Sequence, residues 1–136
     1  GGTRNAVAAP ETLTISGSTF SANAAGGEGF GGGGAVFTEF TTTVTNSTFT
    51  RNQAPDNGGA IASRNVSVSV TGGAIGLAGP GNGNGAGDTG GGLFAYGGLV
   101  TLTGVSVVGN SAFLGGGAAA TNGAVLRVAD SLFSGN

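Results

Sequence analysis

The chain returns five times to one short pattern. An apolar anchor stands at Phe20, Phe49, Ile75, Val107 and Phe133, and three positions later four of the five copies carry asparagine, at Asn23, Asn52, Asn110 and Asn136. The third copy has Ala78 there. The anchors are 29, 26, 32 and 26 residues apart. Periods of this size belong to solenoids, in which each repeat buries its apolar face only against its neighbours. Glycine pairs precede the copies at 1–2, 33–34, 58–59, 91–92 and 116–117. The length variation is expected between the asparagine and the next pair, where extra residues cost little closure entropy.

The interior of each copy aligns as well. Seven residues before the anchors stand Leu13, Thr42, Val68, Val100 and Leu126, and five before them Ile15, Val44, Val70, Leu102 and Val128. Polar residues alternate with these, which is the period of a half-buried strand. β-branched content and recurrent glycine disfavour helix. About 26 residues with two or three short strands cannot close a core alone, but stacked copies give every strand an in-register partner. The fold expected is all-β, a right-handed parallel β-helix of about five coils spaced by ~4.8 Å. Residues 1–136 then form a single repeat segment, which reads as one stretch of a longer array. In this scheme Phe20, Phe49 and Phe133 fill the interior. Asn23, Asn52, Asn110 and Asn136 stack in a ladder with Ala78 as its gap. In the glycine-led strand, Val36, Ile61 and Phe94 form one column and Ala35, Ala60 and Leu93 another; both are apolar, so their facing stays open.

The 32 glycines among 136 residues thus mark coil corners rather than a linker. Charge is sparse: four arginines and six carboxylates give a net charge of −2, with no basic face for nucleic acid or an anionic membrane. Histidine and cysteine are absent, which removes disulfides and the commonest transition-metal ligands. No catalytic residue, metal or cofactor is expected. Glu11 and Glu39 fall near each other on adjacent coils, with Arg64 in reach of Glu39. This reads as a solvated surface cluster rather than the carboxylate pair of a polysaccharide lyase or hydrolase. Asp130 shares the turn position of Gly17, Asn46, Gly72 and Gly104, so it caps a turn. The segment "GPGNGNGAGDTGGG" at 79–92 lacks the lysine and helix of a phosphate loop. It reads as a mobile loop between the third and fourth coils, with a shorter insert at 24–32. Asn46 and Asn65 lie in Asn-x-Ser/Thr sequons, which matter only on a eukaryotic secretory route.

The repeats carry a family resemblance. "GGAV" at 33–36 and "GGAI" at 58–61 alternate with "FSAN" at 20–23, "FTRN" at 49–52 and "FSGN" at 133–136. The degenerate copies are "GGLF" at 91–94, "GGAA" at 116–119 and "VVGN" at 107–110, and "IGLA" at 75–78 departs most. Together they resemble the GGA(I/L/V) and FxxN repeats of the polymorphic outer membrane protein family. The resemblance implies an extracellular or cell-surface β-helix, in bacteria often an adhesive autotransporter passenger, and it supplies no catalytic residue. Expected partners are neighbouring coils or identical copies end to end, and host-cell or matrix glycans, with no membrane insertion by this segment.

One pattern points to a surface. Thr14/Ser16, Thr43/Thr45, Ser69/Thr71 and Thr101/Thr103 make a hydroxyl ladder two columns wide over four coils, broken in the fifth by Arg127 and Ala129. It resembles the ice-binding faces of β-solenoid antifreeze proteins, and carbohydrate is the other ligand class considered. The ordinary alternative is that threonine simply suits an exposed strand.

Overall fold

The computed structural model describes residues 11–26 and 32–136. The first glycine pair, at 1–2, and part of the insert at 24–32 lie outside them. Among the described residues there is no helix, and every strand pair is parallel, so the chain is a β-solenoid of about five turns.

Its first face stacks Thr12–Ser16, Thr41–Thr45, Val68–Thr71, Leu99–Thr103 and Val125–Ala129 in chain order. The second face stacks Thr19–Ser21, Thr48–Thr50, Ala74–Ile75, Ser106–Val108 and Leu132–Ser134. The third face contains Val36–Thr38, Ile61–Arg64, Leu93–Tyr96 and Ala118–Thr121. A short pair, Gln53–Ala54 with Gly85–Ala86, extends the corner after the second face.

The register follows the apolar columns. Ile15, Val44, Val70, Leu102 and Val128 are successive partners on the first face. Phe20, Phe49, Ile75, Val107 and Phe133 are partners on the second. Val44, Phe49, Ile75, Leu102 and Val107 are wholly buried, and the rings of Phe20 and Phe49 stack with centroids 4.9 Å apart and planes 3° from parallel. Thr42 takes an inward site because its hydroxyl reaches the Phe40 carbonyl at 2.7 Å and the Thr38 hydroxyl at 2.9 Å.

The corner between the first and second faces is left-handed in every coil: Gly17, Asn46, Gly72, Gly104 and Asp130 all have φ between +46° and +64°. Glycine, asparagine and aspartate are the residues that tolerate that region. Asp130 is therefore a corner residue. After this corner, serine hydroxyls tie coils together, with Ser18 N–H donating to Ser47 Oγ and Val105 N–H to Ser131 Oγ.

The third face settles the open facing and shifts the glycine alignment by one residue. Val36, Ile61 and Leu93 are partners and point into the core cluster, while Phe37, Ala62 and Phe94 are partners on the opposite side, where Phe37 is exposed but Ala62 and Phe94 are covered. Leu93 thus joins the column of Val36 and Ile61, Phe94 stands with Phe37 and Ala62, and Ala35 and Ala60 lie in register with Gly92. The equivalent glycine pairs are 58–59, 90–91 and 115–116, since Gly58, Gly90 and Gly115 share φ near +65°. The runs Gly90–Gly92 and Gly115–Gly117 each contain three glycines, so sequence alone leaves the pairing ambiguous. Gly59 is required for space, because a Cβ there would stand on the Gly91 carbonyl oxygen of the next coil.

One inward hydroxyl is unsatisfied. Ser63 lies between Thr38 and Ala95 in an inner column, 1% exposed, and its Oγ has no hydrogen-bond partner. Ser63→Ala removes this buried polar atom without opening a cavity. It is expected to stabilise the fold by about 1 kcal/mol, read as a rise in the urea midpoint at constant slope.

Candidate functional site

The asparagine column is continuous. Asn23 donates its backbone N–H and Nδ2 to Asn52 Oδ1 at 3.0 and 2.9 Å. Asn52 does the same to Asn84, Asn84 to Asn110 and Asn110 to Asn136. The second Nδ2 hydrogen turns back to the anchor carbonyl of the preceding coil: Asn52 to Phe20, Asn84 to Phe49, Asn110 to Ile75 and Asn136 to Val107, at 2.8–3.0 Å. One amide therefore fastens three coils. Asn52, Asn84 and Asn110 are 0–1% exposed.

Asn84 corrects the expected gap. The third coil leaves the column after Gly76, runs outward through 77–82, and returns at Gly83 with Asn84 nine residues beyond Ile75 instead of three. Ala78 sits on the exposed excursion, and its carbonyl accepts from Asn82 Nδ2. The added residues of the 32-residue repeat thus lie before the ladder asparagine, not after it. Nor is 79–92 a mobile loop between coils: Gly85–Ala86 pairs with Gln53–Ala54, and Asp88 and Thr89 donate backbone N–H groups to the Asp56 carbonyl.

The first face presents the hydroxyl array. Thr14, Thr43, Ser69 and Thr101 are in register, as are Ser16, Thr45, Thr71 and Thr103. All lie on the side away from Val44, Val70 and Leu102. The structure adds a third column missed in the sequence: Thr12 pairs with Thr41, and Ser67 lies opposite Thr41 because Thr42 pairs with Val68. The alternation itself could have revealed it, one step before Leu13, Thr42 and Val68. None of these outward hydroxyls has a hydrogen-bond partner among the described residues. The face carries no formal charge between Glu11 at its first edge and Arg127 in the fifth coil.

The charged groups form no comparable site. Arg64 Nη1 is 3.7 Å from Glu39 Oε1, with both side chains about half exposed; such a pair contributes little. Glu11 stands opposite Phe40 in the register, not opposite Glu39. Among the described residues no group of three or more acidic side chains is placed to hold a metal ion. Asn46 and Asn65 are both exposed at left-handed corners.

No family model matches the chain, and no curated protein or solved structure matches it.

Proposed function

We propose that the chain is a non-enzymatic structural and adhesive module, the stiff scaffold of an extracellular or cell-surface stalk or fibre. The observation that carries this reading is the direction of its hydrogen bonds. Backbone pairing on three faces and the asparagine ladder all run from coil to coil along the axis. A load along that axis meets every one of these bonds. The resemblance to polymorphic outer membrane protein repeats supports the location and the adhesive role. Partners in this reading are further coils or identical copies stacked end to end, and matrix or host-cell glycans.

Single-molecule pulling from both ends tests the scaffold. Coils are expected to detach one at a time, each 26-residue coil lengthening the chain by about 90 Å. Light scattering is expected to show mass rising with concentration. One low-force collapse of the whole chain, with a monomer at every concentration, overturns the reading.

A further inference from the structure

The hydroxyl face does not follow from a scaffold role, since any soluble residue serves on the outside of a strand. On the first four coils the two columns beginning at Thr14 and Ser16 hold only threonine and serine, eight positions out of eight, and no charge. We propose that this face binds crystalline water, the surface of growing ice.

Three features lead to that occupant. First, the face is periodic in two directions: coils repeat every ~4.8 Å and alternate residues on a strand every ~6.7 Å. A periodic surface gains most from a periodic ligand, because every hydroxyl then finds the same environment; a single small molecule would use one or two of them. Second, the array is rigid. The six threonines are restricted at χ1, and three of the four rows are backed by the fully buried Val44, Val70 and Leu102, the first by Ile15. Little side-chain freedom is therefore lost on contact, which is the cost that ordinarily weakens binding by polar side chains. Third, the charge balance matches a neutral lattice. The first four coils of the array contain no ion to hold a radial hydration shell, and six of its eight hydroxyls are carried by threonine beside a methyl group. Lattice waters can then hydrogen-bond to Oγ1 while the methyls rest between them.

The face lacks what other occupants need. On the first four coils the array itself holds no aromatic or arginine side chain of the kind that centres protein interfaces; Phe40 precedes it at one edge and Arg127 follows it in the fifth coil. The inference is independent of the scaffold reading, because it requires only the coil register.

The test uses the whole 136-residue chain and three variants. Thr43→Tyr and Thr101→Tyr place a bulky ring in the middle of the array, while Thr121→Tyr places one on the third face. All three are outward strand positions, and thermal melts establish that each variant folds. The unmodified protein and Thr121→Tyr are expected to partition into a slowly growing ice hemisphere and to suppress ice recrystallisation; Thr43→Tyr and Thr101→Tyr are expected to lose both. Exclusion of the unmodified protein from ice overturns the proposal. So does retention of both activities by the two array variants, or sedimentation with microcrystalline cellulose or chitin in place of ice.

Discussion

Val70→Asp is expected to abolish the folded state of the central coils, while Ser69→Asp, one residue away, leaves it in place. Val70 is 1% exposed, with Val44 below and Leu102 above it in the same column. A carboxylate there has neither counter-charge nor donor, and the penalty is on the order of 5 kcal/mol, comparable to the whole stability of a small domain. Ser69 faces outward on the same strand, where a change of this kind costs about 0.5 kcal/mol. Circular dichroism with urea titration separates the two. Equal losses at the two sites would overturn the assigned register.

Asn84→Ala is the second large effect. Removing this amide orphans the Asn52 N–H, one Asn52 Nδ2 hydrogen and part of the Phe49 carbonyl's bonding, all in the buried column. At about 1–3 kcal/mol for each buried group left unpaired, the sum is expected near 4 kcal/mol. Asn82→Ala, two residues earlier, loses only the bond from Nδ2 to the Ala78 carbonyl on the exposed excursion, and is expected to cost about 0.5 kcal/mol. Chemical denaturation of the two variants makes the comparison. A mild Asn84→Ala would show that the column is not held by its amides.

The contrast between these two asparagines also shows what could be read from the residues alone. The first and second faces were legible because alternation fixes which side chains point inward, and a common spacing then fixes the register from coil to coil. Asn84 was not legible, because the sequence motif places its asparagine three residues after the anchor, while the fold reaches the ladder nine residues after Ile75. The ladder imposes no such distance. It needs an amide at one place in space, and the chain reached that place after six added residues, leaving Ala78 as a false match. The one-residue shift of the glycine pairs has a related cause. Where three glycines follow one another, only contacts with the next coil decide which of them occupies the left-handed corner. The third hydroxyl column escaped notice for a simpler reason: Ser67 precedes its strand, and Leu99 interrupts the series in the fourth coil.

The ladder also has a sense of direction. The Oδ1 of Asn52, Asn84, Asn110 and Asn136 each accepts from the coil before it, and the backbone N–H of Asn23, Asn52, Asn84 and Asn110 each donates to the coil after it. Two pieces of such a rod can be spliced only head to tail, and only at equivalent points of the winding. Excision of residues 85–110 would bring Asn84 onto Asn136 with the pattern unbroken, whereas loss of half that span would leave Asn84 with no amide in register. Length in this architecture is therefore counted in whole coils, and a gene encoding it can lengthen or shorten the rod by unequal exchange between repeats without redesigning a single contact.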